Sequence, residues 1–196
     1  MKKVIINRWV LLGFFSFIST GIIFAAPGAN IPRLLKEARV LYERGDYFES
    51  YLKLGEASFD VWTKCPLILN NVQFVVDEPD GFGIYTPRAN AIFKQGEKIR
   101  IYMEPVGFTI KDWGELKELS LSTDFNILDT EGNVLAGKRD FGRWTMKSRA
   151  YNTQFMLKLN YSLTGAPPGR YKIETVVKDN FSAKRASVIQ DIEIVQ

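Results

Sequence analysis

The chain has 196 residues, 26 of them Lys or Arg against 22 Asp or Glu, with one cysteine and no histidine. With 46% apolar and 24% charged residues, the composition is that of one globular domain, or one domain plus a small appendage. The missing histidine excludes His-ligated metals, Ser-His-Asp and Cys-His catalysis and the usual proton shuttle near neutral pH, and a single cysteine excludes an internal disulfide or a Cys-rich zinc site.

Residues 1–25 read as a signal peptide: Lys2, Lys3 and Arg8, then an apolar stretch from Trp9 to Ala26, then the small-residue run Ala25-Ala26-Pro27-Gly28-Ala29. Cleavage is expected after Ala25, because a cut after Ala26 would set Pro27 immediately downstream. The competing reading is an uncleaved anchor, since 18 uncharged residues can just span a bilayer core; Gly13, Ser16, Ser19, Thr20 and Gly21 dilute that stretch and favour cleavage. A lipoprotein would need its cysteine at the end of the apolar run, and the cysteine of this chain is Cys65. Losing the leader removes three of the 26 basic residues and leaves 23 against 22 acidic ones. The mature chain then has no basic run longer than Lys138-Arg139 or Lys184-Arg185, so nucleic acid is not an expected partner.

Residues 26–64 read as a two-helix hairpin. Leu34, Leu35, Ala38, Leu41 and Tyr42 fall on one stripe at helical spacing, Pro32 stands in the first turn, and Gly45 stops the helix. Asp46 and Glu49 form a capping-box-like pair for a second helix, whose apolar face holds Phe48, Tyr51 and Leu52 with Leu54 and Ala57 beside it. The run Ala38-Arg39-Val40-Leu41-Tyr42-Glu43-Arg44-Gly45-Asp46-Tyr47 resembles the turn between the helices of a tetratricopeptide repeat. No second copy follows, and such repeats bury a continuous core only when stacked. The hairpin must pack on something else, either as a cover for the next domain or as half of a docking site for a partner.

Residues 65–196 change to a period of two. Val72, Phe74 and Val76; Ile99, Ile101 and Met103; Leu119, Leu121, Thr123, Phe125 and Ile127; Val134 and Leu135 after the turn Asp129–Asn133; Phe155 to Leu163; Tyr171 to Val177; and Val188 to Ile194 give about seven strands. That count, with turn signals between, predicts an antiparallel β-sandwich. Cys65 lies at the junction with the hairpin; inert packing and intermolecular bonding are the two readings of an unpaired exported thiol, and packing is favoured because Lys64 alone stands near to lower its pKa.

Leu163-Thr164-Gly165-Ala166-Pro167-Pro168-Gly169-Arg170-Tyr171-Lys172-Ile173, followed by Val176-Val177-Lys178-Asp179, resembles the penultimate strand of immunoglobulin-like modules in exported bacterial proteins. The resemblance implies that Tyr171 pins the corner between sheets by bonding back to the chain. From Asp77 to Val195 the chain is also similar to a family of exported proteobacterial proteins with no assigned activity.

The candidate binding residues are aromatic. Phe82, Tyr85 and Phe93 flank Arg88 and Asn90, and Phe82, Tyr85, Arg88 and Asn90 with Trp113 and Trp144 can form a surface for a sugar or an extended peptide; the alternative use of such rings is core packing. The turn Asp77-Glu78-Pro79-Asp80 offers carboxylates but not the spacing of the helix-loop-helix calcium motif, and reads as an exposed acidic turn. Glu104 and Asp124 are the carboxylates a glycosidase would need, yet solvated strand faces carry such charges routinely. Ser50-Tyr51-Leu52-Lys53 and Asp140-Phe141-Gly142 match fragments of catalytic signatures without their companions. Asn160-Tyr161-Ser162 and Asn180-Phe181-Ser182 are glycosylation sequons, relevant in a eukaryotic secretory host. The expectation is a periplasmic or secreted, non-enzymatic module with no metal and no cofactor. It engages an envelope protein through sandwich loops or a strand edge, or alternatively a glycan such as peptidoglycan; a carboxylate glycosidase is the third reading.

Overall fold

The computed structural model describes residues 30–196, so the expected signal peptide lies outside the described residues. Helix α1 (Ile31–Glu43) begins where the sequence supplies a cap: the Asn30 side chain accepts the Arg33 N–H at 3.2 Å, and Pro32 occupies the first turn, where its missing N–H costs nothing. Gly45, at φ +84°, makes the left-handed step that ends the helix. Helix α2 (Tyr47–Lys64) follows at once. The expected capping box does not form, because Asp46 makes no side-chain cap bond. The tight turn satisfies its backbone instead, with the Asp46 N–H donating to Leu41 at 3.0 Å and the Tyr47 N–H to Gly45 at 2.9 Å. The helices pack through Leu34, Ala38 and Ala57, and the buried Ser50 hydroxyl donates to the Ala38 carbonyl at 2.8 Å. That bond occupies the serine of the S-x-x-K match.

Nine strands follow among the described residues: β1 (Ile68–Val75), β2 (Ile92–Lys94), β3 (Lys98–Val106), β4 (Lys111–Asp112), β5 (Lys117–Leu128), β6 (Val134–Ser148), β7 (Leu157–Ser162), β8 (Gly169–Asp179) and β9 (Arg185–Val195). β2 and β4 are two- or three-residue pieces, and the other seven are the strands expected from the sequence. One sheet has the order β1-β3-β7; the other runs β2-β9-β8-β5, with β4 and β6 on β5. All pairs are antiparallel except β2 with β9. Long strands one, two and five therefore face strands three, four, six and seven, the division of an immunoglobulin-like sandwich.

The core lies between the sheets. Ile99, Ile101, Met103, Leu157 and Leu159 from the first meet Leu119, Leu121, Ile173, Val177 and Ile192 from the second. The Tyr171 hydroxyl donates to the Pro167 carbonyl at 2.8 Å and ties the corner as expected. The hairpin joins this body through the last turns of α2. Trp62 meets Phe108 edge-on at 5.0 Å, Phe59 lies 4.3 Å from Tyr151, and Lys184 donates to the carbonyls of Thr63 (3.2 Å) and Gly107 (2.8 Å). Further back along α2, Gly55 and Ser58 border a cleft with Tyr151 and Thr153. Cys65, half-buried at the junction, lies where a side chain on Gly107 would stand.

One strand face differs from its sequence pattern. Glu104, expected on a solvated face, is 8% exposed, and Tyr102 on the same side is fully buried. The β1–β2 connection folds over the outer face of the three-stranded sheet: Gly83 N–H donates to the Tyr102 hydroxyl at 2.7 Å, Tyr85 stacks on Tyr102 at 4.1 Å, and Lys158 reaches the Pro79 carbonyl at 3.3 Å. Beneath it Glu104 accepts from Tyr102 (2.6 Å) and Asn71 (2.7 Å).

Candidate functional site

The six residues picked from the sequence fall on three elements. Phe82, Tyr85, Arg88 and Asn90 share the β1–β2 connection, where Arg88 and Asn90 bond within the fold, although the buried Arg88 Nε has no partner among the described residues. Arg88 pairs with Glu97 at 2.7 Å, donates to the Ile92 carbonyl at 2.6 Å and lies over the Phe93 ring at 4.3 Å. Asn90 accepts the Ile92 N–H at 3.1 Å. Trp113 is on the turn between β4 and β5 and is 60% exposed, with its indole N–H donating to Glu118 at 2.9 Å. Trp144 is in β6, half-buried against the core, and its ring lies over Gly142, where a Cβ would come within 2.2 Å of it. They do not assemble into one aromatic groove.

The turn around Trp113 is electrostatically tight. Asp112 accepts from Lys117 (2.7 Å), Tyr151 (2.5 Å) and the Gly114 N–H (2.8 Å), which hold its carboxyl down to about 2. Burial, then the Asp112 bond, pushes the Tyr151 hydroxyl up to about 12.

A different feature stands out on β6. At 15 residues it is the longest strand, and it forms the end of its sheet. β5 pairs with β8 on one side over Leu121–Leu128 and with β6 on the other, and β6 has no further strand neighbour among the described residues. Val134 to Asp140 are exposed throughout, Val134 and Leu135 included. Register puts Trp144 opposite Leu121 and Met146 opposite Leu119 on the core side, while Arg143 stands opposite Ser122 and Lys147 opposite Glu118 on the outer side. Lys138, Arg139, Arg143 and Lys147 face a single acid, Asp140, within the strand.

Asp140 sits at a bulge. Residues 139–141 oppose Asp124 alone, Asp140 adopts φ +47°, and its N–H donates to Asp124 at 2.8 Å. Lys178 from β8 closes the group, reaching Asp124 at 2.7 Å and Asp140 at 3.0 Å. Burial pushes the Asp124 carboxyl up, but the Lys178 ammonium and the Asp140 amide more than offset it and leave it below its usual range. The Asp124 bond, then that of Asp140, raises the Lys178 ammonium. Lys178 is shared between Asp124 and Asp140, so the group keeps one net negative charge against the four basic residues of β6. Phe141, within the kinase-like triplet, packs on Phe125 (4.8 Å) and Tyr161 (5.2 Å).

Among the described residues no group of three or more Cys, Asp or Glu side chains is placed to hold a metal ion, and no helix is long and apolar enough to cross a membrane. In the acidic turn, Glu78 points to Lys158 at 3.4 Å.

No protein-family model and no curated protein matches the chain. Among solved structures it is similar to the alkylpurine DNA glycosylase AlkC of Pseudomonas fluorescens, bound to DNA containing an abasic site analog, at 10% identity over 77% of this chain and 39% of that one, TM-score 0.37. It is also similar to the CARDB domain of the PF1109 protein of Pyrococcus furiosus, in complex with di-metal ions (13% identity, 66% and 90% covered, TM-score 0.32). A third is Spo0M, a sporulation control protein of Bacillus subtilis (12% identity, 67% and 50% covered, TM-score 0.33). The chain therefore spans about two fifths of the glycosylase and half of Spo0M. The fold assignment rests on the strand order itself, and no function transfers at this similarity.

Proposed function

We propose that this is an exported, non-enzymatic binding module of the bacterial cell envelope that takes its protein partner by strand addition along β6. The observation that carries the reading is the long strand at the end of its sheet, whose outer edge has no strand partner among the described residues and whose surface is basic. Such an edge offers a row of backbone donors and acceptors, which soluble proteins ordinarily shorten or cover. Lys138, Arg139, Arg143 and Lys147 guard it against pairing with a second copy of itself and favour an extended segment rich in Asp or Glu. Export rests on the leader pattern of residues 1–25.

The test is site-specific photo-cross-linking in intact cells, with the probe at Thr145 on β6 and a control probe at Ile189 on β9. A single adduct from the β6 probe in the envelope fraction, lost in the Arg143→Glu/Lys147→Glu double variant with an unchanged circular dichroism spectrum, supports the reading. An adduct indifferent to that reversal, or a chain that fractionates with the cell interior, removes it.

A further inference from the structure

The hairpin leaves an apolar surface uncovered. Helical spacing puts Leu35 and Tyr42 of α1 on the same broad side as Tyr47, Tyr51, Leu54 and Val61 of α2, and the Tyr42 and Tyr47 rings meet across the turn at 5.3 Å. Each of these six side chains is between 48% and 69% exposed. Ser58, between Leu54 and Val61, is uncharged, and beside it Gly55 borders a cleft shared with Tyr151 and Thr153, where the free side gives way to the sandwich. A helix of 13 residues such as α1 is marginal in water on its own, and Leu34, Ala38 and Ala57 are the apolar side chains the hairpin fully buries. A stripe of this kind is ordinarily the side that packs on a neighbour.

We propose that a second copy of this chain covers that side, the two hairpins stacking about a two-fold axis into a four-helix junction. Charge argues for the second copy over an unlike partner. Arg33, Lys36, Arg39, Arg44, Lys53 and Lys64 balance Glu37, Glu43, Asp46, Glu49, Glu56 and Asp60. Several are already paired within the hairpin, Arg33 with Glu37, Arg39 with Glu43 and Lys53 with Glu56. Arg39, which helical spacing sets between Leu35 and Tyr42 on that side, is held by Glu43 at 2.8 Å, so the hairpin carries no net charge there to repel its own copy or to attract an anionic lipid surface. Shape agrees, because the broad side of an antiparallel helix pair is its own complement under a two-fold operation. Area agrees as well. Three tyrosines at two-thirds exposure with Leu35, Leu54 and Val61 offer on the order of 600 Å² per copy, or ~1,200 Å² per dimer, within the range of specific interfaces. The three phenol hydroxyls can stay wet at the rim while their rings are covered.

The proposal does not rest on β6, so it can fail while strand addition stands. The test is sedimentation of the purified chain at tens of micromolar, with reductant present to remove any Cys65 bond. The expected result is a species of twice the chain mass that becomes a monomer in the Tyr51→Glu/Leu54→Glu variant. Should that variant misfold, Tyr51→Cys in a Cys65→Ser background gives the same answer: oxidation links two copies, while Lys172→Cys on the sandwich does not. A monomeric native chain, with the leader retained or removed, overturns the proposal. So does a dimer that survives the glutamate pair in a folded variant, or one in which the Tyr51→Cys and Lys172→Cys controls cross-link equally.

Discussion

The Trp62 indole N–H donates to the Phe108 carbonyl at 3.0 Å while the two rings meet edge-on at 5.0 Å, so one side chain gives both a polar and an apolar tie between hairpin and sandwich. The Phe108 ring is buried and continues into Phe155 at 6.2 Å, which carries the attachment into the core. Trp62→Phe keeps a ring but strands the Phe108 carbonyl, at a cost of about 1 kcal/mol. Trp62→Ala removes both ties and is expected to cost about 3 kcal/mol or more. Equilibrium urea unfolding measures both. Losses below about 0.5 kcal/mol for both variants, within the range of ordinary surface substitutions, would show that the hairpin is held by other contacts.

Gly107 permits the chain crossing beneath that tie. It stands at φ +79°, and a Cβ there would lie 2.3 Å from the Pro66 carbonyl oxygen and 2.9 Å from the Cys65 Cβ. Gly114 has a comparable φ of +86° but open space around it. Gly114→Ala should therefore cost only the left-handed penalty, about 1 kcal/mol, whereas Gly107→Ala must also displace backbone. The expected loss at Gly107 exceeds that at Gly114 by at least about 1–2 kcal/mol. Thermal unfolding of the two variants side by side decides this, and equal melting temperatures would contradict the steric account.

What could be read from the sequence follows from how local each cause is. β3, β5, β8 and β9 alternate because one side of each meets the core, and the corner tyrosine bonds four residues back, so both were legible. The full length of β6 was not. It is an edge strand whose Gly137, Lys138 and Arg139 see solvent and whose alternation is broken by the bulge at Asp140. Burial of Tyr102 and Glu104 comes from a connection that folds over them, for which the strand itself carries no signal. The chosen aromatics failed to converge for the same reason: Phe82 to Asn90 are neighbours in sequence, but sheet order sends Trp113 and Trp144 elsewhere. In the hairpin the stripe through Tyr51 and Leu54 showed that a helix has an apolar side, not what lies against it. The basic character of β6 was present in the residues, and only the topology made it an edge.

Tyr161 is expected to contribute to loss of stability at alkaline pH. Its ring is stacked on Phe141 at 5.2 Å and tilted against Phe125 at 4.9 Å, and its hydroxyl shares a 3.0 Å bond with Thr175. Burial pushes the phenol up to about 12, with the Thr175 bond opposing. The unfolded chain ionises near pH ~10, so between the two values the folded state holds a proton that the unfolded state has lost. The sign follows: this contribution is complete below about pH 10 and is lost as the pH rises through 12. Its size is on the order of 2–3 kcal/mol. Tyr102, pushed to about 12 by burial and its Glu104 bond, and Tyr151 act in the same direction. Tyr161→Phe should therefore lower stability at pH 7 by about 1 kcal/mol through the lost hydroxyl bond, yet flatten the alkaline decline without abolishing it. Urea midpoints at pH 7, 10 and 11 check this. A variant that declines between pH ~10 and ~11 as steeply as the native chain would mean that the Tyr161 phenol already ionises at its ordinary value in the folded protein.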